Sequence, residues 1–199
     1  MNIKSNFDIS EKIILLGQSA VGKTNLIIRF TENKFYAEFI SAAGFDYKSK
    51  IISLNNSKKN LKLFLYDTAG QERYEALCKS LYKRVDGIIL VYDITSRESF
   101  EYIPKWVKEI KQYNENFSIM LIGNKIDDEE NRIISFEEGK KFADDNNMQF
   151  FETSAKTGEN VNEAFIYFGN KLIRNLIERN ENISLSTERH KIKQKKKYC

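Results

Sequence analysis

Cysteine and proline are scarce in this 199-residue chain, which has two of the first and one of the second. The two cysteines, Cys78 and Cys199, have no metal-ligand spacing, and a reducing cytoplasmic compartment is the simple expectation. No apolar run approaches the roughly 20 residues of a membrane span. Residues Met1 to Ser10 lack a basic region followed by an apolar block, so no secretory signal is expected. Asn2 stands where N-myristoylation requires glycine. There is no internal repeat. Excess charge is also modest, at +4. Arg189, Lys191, Lys193, Lys195, Lys196 and Lys197 all lie near the C-terminus, so the body is near neutral or slightly acidic. That argues against a nucleic-acid-binding body and for a locally basic end.

What is present fits one domain plus a tail, with 41% hydrophobic and 30% charged residues. Strand-like and helix-like runs alternate. Lys12–Leu16 reads as a strand and leads into a helix with Leu26, Ile27 and Phe30 on one face. Tyr47–Leu54 and Leu61–Tyr66 read as strands joined by a turn-rich hairpin loop, Asn55 to Asn60. Gly87–Tyr92 and Ser118–Ile122 are continuous apolar runs, as expected of strands covered on both faces. Thr95-x-x-Glu98 reads as a capping box, followed by Phe100, Ile103, Val107 and Ile110 at helical spacing, with a kink or irregular turn expected at Pro104. Ser135-x-x-Glu138 and Asn160-x-x-Glu163 open two further helices, on either side of a short strand, Gln149–Phe151. The last helix should bury Val161, Ala164, Phe165, Phe168, Leu172 and Leu176. Beyond about Asn180 apolar periodicity ends and disorder is expected. The whole is an α/β pattern around a mostly parallel sheet.

Four strings at strand ends carry the chemistry. Gly17-Gln-Ser-Ala-Val-Gly-Lys-Thr24 is a P-loop pattern between a strand and a helix. Gly17 and Gly22 let the backbone approach a phosphate chain. Successive N–H groups from Ser19 through Ala20, Val21, Gly22, Lys23, Thr24 and Asn25 line a concavity at a helix N-terminus. Lys23 reaches terminal phosphates as a point charge, and the Thr24 hydroxyl can ligate Mg²⁺. Asp67-Thr-Ala-Gly-Gln71 follows a strand. Asp67 can hold Mg²⁺ through water, Gly70 can offer a backbone N–H to a terminal phosphate, and Gln71 can orient an attacking water. Asn124-Lys125-Ile-Asp127 follows another strand. The Asp127 carboxylate can accept two hydrogen bonds from guanine, where adenine offers neither donor, a mismatch that can give roughly 10⁴ to 10⁵ discrimination. The Lys125 stem can cover the base, and Ser154-Ala155-Lys156 can complete the pocket.

With these motifs in this order, the sequence resembles the small GTPases of the Ras superfamily, most closely the Rab family, over about Lys12 to Ile177. The resemblance implies the P-loop small GTPase fold: a six-stranded, mostly parallel sheet with one antiparallel strand and helices on both faces. It implies GTP/GDP and Mg²⁺ as ligands, with Phe35 stacking on the guanine, Gln71 and Lys23 as the catalytic pair, and Tyr47, Tyr66 and Tyr82 as the switch and interswitch aromatics. Expected boundaries are an N-terminal extension over 1–11, a GTPase domain over 12–179 and a flexible basic tail over 180–199. The implied role is a molecular switch in vesicle trafficking. It would act as a monomer on the cytoplasmic face of intracellular membranes, meeting effectors, an exchange factor and a GTPase-activating protein through switch I and switch II. Geranylgeranylation at Cys199 is implied, although most relatives carry two terminal cysteines and this chain has one.

One position departs from the family pattern. Nineteen residues after Lys23, where relatives carry a switch I threonine, stands Ala42. Alanine keeps the backbone N–H for the γ-phosphate and loses the hydroxyl on Mg²⁺. If that tie is worth roughly 1.5–3 kcal/mol, the ordered switch population falls by about 10- to 150-fold. Either GTP still binds while switch I closes weakly and hydrolysis is slow, or Ser41 shifts over and supplies the hydroxyl. A non-cycling, nucleotide-loaded interaction module is the alternative function. A small P-loop kinase fits poorly, because the Asn124 to Asp127 string specifies guanine and no arginine-rich lid is visible.

Overall fold

The computed structural model describes residues 7–37, 46–54, 59–68, 82, 84–113 and 117–197, without the side chains of Asp46 and of 180–197. Six strands form one sheet: β1 Ile9–Leu16, β2 Asp46–Ser53, β3 Asn60–Asp67, β4 Gly87–Asp93, β5 Ser118–Asn124 and β6 Gln149–Thr153. Their order is β2-β3-β1-β4-β5-β6. Only the β2–β3 pairing is antiparallel, because these strands are joined by a hairpin, which the Leu54 N–H to Lys59 carbonyl bond closes. The others pair in parallel. β1 starts at Ile9, so residues Ile9 to Glu11 belong to the sheet.

Because side chains alternate along a strand, β1 feeds two cores. Ile13 and Leu15 enter one with Leu26, Ile27, Phe30, Phe165 and Phe168; Ile14 and Leu16 enter the other with Ile88, Leu90, Ile103, Val107 and Ile110. The first core is covered by α1 Lys23–Glu32 and α5 Val161–Lys197, the second by α2 Arg97–Glu101, α3 Ile103–Tyr113 and α4 Phe136–Asp145. β4 is buried along its whole length, as a continuous apolar run requires.

Several local expectations need correcting. The cap of α2 is Ser96, which accepts the Ser99 N–H, and not Thr95. The Thr95 hydroxyl is taken up by Asp93 at 2.7 Å. The last helix does open at Asn160, as expected: the residue sits at φ 57, its carbonyl accepts the Ala164 N–H, and its side-chain amide donates to the Glu152 carbonyl and ties α5's start to β6. Leu176 is 39% exposed, and Ile173 takes the buried place. The backbone of α5 stays helical to Lys197, past Asn180. Loss of apolar periodicity removes a packing partner, yet no glycine or proline follows Gly169 to stop the helix. The break at Pro104 is as expected: α2 ends at Glu101 and α3 restarts at Ile103, with proline in the first turn where its missing N–H is harmless. Ser135 caps α4 through the Glu138 N–H, also as expected.

Candidate functional site

The parallel register brings Asp93, Asn124 and Thr153 level at the carboxyl ends of β4, β5 and β6. Ligands of open α/β sheets bind at such ends. β1 runs directly into the glycine-rich loop there. A Cβ on Gly17 would lie 2.2 Å from the Val91 carbonyl oxygen. Gly22 is at φ 98, and a Cβ there would lie 2.4 Å from Asn124 Nδ2. Both positions therefore require glycine, and the loop can hug the sheet. Gly22 is also the N-cap of α1, with no side-chain cap bond and no acidic residue in the first turn. The helix thus presents its positive end and its first N–H groups to this concavity. Ser19, Ala20 at φ 63, and Val21 form the loop that leads there.

Lys23 is 5% exposed, and its ammonium donates to the Gly17 and Gln18 carbonyls at 2.8 and 2.7 Å. A cation is held over the loop by the loop's own carbonyls. The Thr24 hydroxyl donates to Asp67 Oδ2 at 2.6 Å, which joins the two candidate metal-side groups across α1 and β3. Thr68 donates to the Leu15 carbonyl at 2.6 Å and locks the end of β3 to β1. The residues fit an anionic polyphosphate with a hard divalent cation: glycine cradle, helix N-terminus and lysine on one side, a hydroxyl and carboxylate oxygen in contact on the other.

Asn124 joins this half to the other. It is 1% exposed; its amide donates to the Val21 carbonyl at 2.9 Å, and its Oδ1 accepts from Thr153 Oγ1 and the Ala155 N–H, each at 3.1 Å. Asp127 follows, with an open backbone and a side chain only 14% exposed. Ser154 donates to its Oδ1 at 2.5 Å, and Lys156 Nζ lies 3.4 Å from Oδ2. Burial pushes this carboxyl upward, but hydrogen bonds from Ser154, its own backbone N–H and Lys156 outweigh it and hold the group below the ordinary carboxylate range. Asp127 is therefore a fixed, ionised acceptor at neutral pH. Lys125, at φ 74, pairs with Asp93 at 2.6 Å.

Phe35 is half-buried against the first core. Tyr47 and Tyr66 pack with ring centroids 5.8 Å apart, Tyr47 being 56% exposed. Tyr82 does not join them at the surface. It is fully buried, its hydroxyl contacts Glu109 and its ring lies against Tyr113, because the second core takes it in. Ser41, Ala42, Gly70, Gln71, Cys78 and Cys199 lie outside the described residues. Asp93, Thr153, Arg29 and Arg132 also belong to the site, though not among the residues expected from the sequence. Arg132 grips Glu152 with two bonds at 2.7 and 2.9 Å and braces the segment after Asp127 against β6. Position at a strand end was a signal for Asp93 and Thr153; nothing in the string marked the two arginines.

Strand ends that carry a phosphate cradle at one side and a purine-reading carboxylate at the other are the mark of P-loop GTPases. The sequence pattern of the Ras family matches residues 12–174. The chain is 43% identical over 160 residues to Ras-related protein Rab-15 of Homo sapiens, covering 80% of this chain and 74% of that one. It is 39% identical over 188 residues to Ras-related protein Rab-10 of Diplobatis ommata, covering 92% and 93%. It is 43% identical over 161 residues to Ras-related protein Rab-3A of Homo sapiens, covering 80% and 72%. The chain belongs to the Ras family and, within it, is a Rab-family small GTPase. Among the described residues no helix is long and apolar enough to cross a membrane.

Proposed function

We propose that this chain is a guanine-nucleotide switch in vesicle trafficking that binds GTP and GDP with Mg²⁺ and hydrolyses GTP slowly. The observation that carries this reading is Asn124, whose one side chain links Val21 of the phosphate loop to Ala155 of the base-side loop. Both ends of a nucleotide site are thereby built on a single buried group. Asp127 accepts from the guanine edge, and Phe35, Lys125, Ser154, Ala155 and Lys156 enclose the base. N–H groups from Ser19 to Asn25, with Gly70 and Ala42, bind phosphate oxygens. Thr24 and Asp67 hold the metal, which supplies charge neutralisation on the phosphates. Lys23 stabilises developing negative charge, and Gln71 orients water. An activating partner supplies an arginine that stabilises charge on the phosphates.

Ala42 leaves switch I without a hydroxyl on the metal, so the closed state is weakly populated and turnover is slow. The same change favours a second reading, a nucleotide-loaded interaction module that does not cycle. The chain works as a monomer. The GTPase domain runs from the start of β1 at Ile9 to 179, with an extension before it and a basic tail over 180–199 after it. That tail, prenylated at Cys199, attaches it to the cytoplasmic face of a membrane, since one lipid plus several lysines meets the two-signal rule. Effectors and regulators meet switch I and switch II.

The test is nucleotide identity. Purified protein, denatured and chromatographed, is expected to release GDP or GTP. Asp127→Asn replaces one of the two acceptor oxygens with a donor, so it should lose at least about 100-fold in GDP affinity and gain for the xanthine nucleotide, whose 2-carbonyl accepts. Unchanged GDP affinity in that variant would overturn the assignment.

A further inference from the structure

We infer that α1 carries a two-point clamp, Asn25 and Arg29, that pins the chain on both sides of Phe35 and the base-side loop at Ala155 and Lys156. These are positioning residues for nucleotide retention, an inference that rests on the guanine-nucleotide reading above. The two lie one helical turn apart, on one face of α1. The Asn25 carboxamide donates to the Tyr36 carbonyl at 2.9 Å and accepts from the Tyr36 N–H at 3.1 Å. It pairs with that residue as a neighbouring strand would.

Arg29 uses its whole fork. Nε donates to the Ala155 carbonyl at 2.9 Å and Nη2 to the Lys156 carbonyl at 2.6 Å. Nη1 donates to the carbonyl and side-chain oxygens of Asn33 at 3.1 and 3.2 Å. Asn33 ends α1 at φ 54, with its N–H on the Arg29 carbonyl at 3.0 Å. The segment Asn33 to Tyr36 is thus tied to one helix at both ends, with Phe35 between the ties. The same arginine holds two successive carbonyls of the loop whose Ser154 donates to Asp127.

The consequence is a division of labour. One rigid helix carries the phosphate-side groups Lys23 and Thr24 at its first turn and the base-side restraints further along. Retention of the base therefore rests on α1. Four of the six bonds come from a planar guanidinium whose donors point in fixed directions, a geometry an ammonium cannot reproduce.

The experiment is release of a fluorescent GDP analogue from the full chain, chased with excess GDP in the presence of Mg²⁺. Arg29→Met, which keeps the alkyl stem, should raise the release rate about 10-fold or more, and Asn25→Ala about 5-fold. Arg29→Lys should behave like Arg29→Met, whereas a requirement for charge alone would return it to the native rate. Lys34→Ala, in the same segment but outside the clamp, should match the native protein. Hydrogen exchange at the Tyr36 amide in the GDP-bound protein should quicken in Asn25→Ala, a local readout that general destabilisation would not confine to this segment. If one variant fails to fold, the other decides. Native protein that binds the analogue, with variants that release it at the native rate and keep Tyr36 protected, would overturn the clamp and leave the nucleotide reading standing. Native protein that takes up no guanine nucleotide would overturn both.

Discussion

Replacing Gly22 with alanine should separate the phosphate half of the site from the base half. The new methyl group meets two obstacles. The backbone is at φ 98, ψ 19, near the left-handed region, which costs a residue with a Cβ about 1–2 kcal/mol. The methyl also falls 2.4 Å from Asn124 Nδ2, well inside contact distance, so that amide must retreat. Its retreat breaks the bonds to Val21, Thr153 and Ala155. At about 0.5–1.5 kcal/mol net for each bond, the loss is about 1.5–4.5 kcal/mol. The two together make roughly 2.5–6.5 kcal/mol, or about 10² to 10⁴ in affinity and above, since 1.4 kcal/mol is tenfold. The penalty falls on binding if the empty loop relaxes around the new methyl, and on folding stability if it does not, so urea midpoints of the two nucleotide-free proteins are measured beside the affinities. GDP affinity by equilibrium titration of both proteins is the assay. Gly158→Ala is an internal comparison: φ is 92, but the nearest atom to the new methyl is the Arg29 Cδ at 3.4 Å, so only the backbone cost of about tenfold applies. A Gly22→Ala protein that binds GDP within about threefold of native and keeps the native urea midpoint would refute the claim that Asn124 is seated against this glycine.

Glu11 is 6% exposed, and burial, the charge of Asp86 and a hydrogen bond with Asp86 hold its carboxyl at about 8, against the opposing pull of Arg179. The folded chain therefore binds this proton more tightly than the unfolded chain, whose carboxyl titrates near 4.5. That contribution is complete below about pH 4.5 and lost as pH rises through about 8. Urea midpoints measured from pH 5 to 8.5 should fall less steeply in Glu11→Gln than in the native protein. Arg132→Ala should cost about 3 kcal/mol of stability, because it strands the largely buried Glu152 carboxylate, whose side chain is 10% exposed; adding Glu152→Gln should restore most of the loss in a double-mutant cycle. The Tyr92 hydroxyl has no hydrogen-bond partner among the described residues and is buried beside Gly123 and Gly139, so Tyr92→Phe should leave stability unchanged or raise it by about 1 kcal/mol in the same denaturation assay.

The parts of this site that could be read from the chain were contiguous strings whose chemistry is carried by immediate neighbours. Gly17 to Thr24 declares its turn, its close approach and its cation within eight residues, and Asn124 to Asp127 does so within four. The strands were readable for a similar reason: covered on both faces, β4 and β5 are unbroken apolar runs. Contacts between strings were not readable. Arg29 looks like any charged residue on an amphipathic helix, and only the return of the chain at Ala155 and Lys156 gives its fork two carbonyls. The depth of Tyr82 was not legible either, since a tyrosine suits a surface or a core that offers its hydroxyl an acceptor, and here Glu109 is that acceptor. At α2 the pattern Thr95-x-x-Glu98 satisfied a capping rule, but Asp93 competes for the Thr95 hydroxyl and the cap moves to Ser96. Beyond Asn180 the backbone of α5 runs on with no glycine or proline to interrupt it, whereas the expectation of disorder had rested on lost amphipathicity.

The proposed GTPase closes its first switch poorly for want of one hydroxyl at Ala42. Single-turnover hydrolysis by protein preloaded with GTP and Mg²⁺, beside an Ala42→Thr variant, tests it most directly. Turnover by the native chain should be slow, and the rate in the variant about 10-fold or more higher. Equal rates in the two proteins would contradict it, and would mean that the missing hydroxyl is supplied by another group such as Ser41.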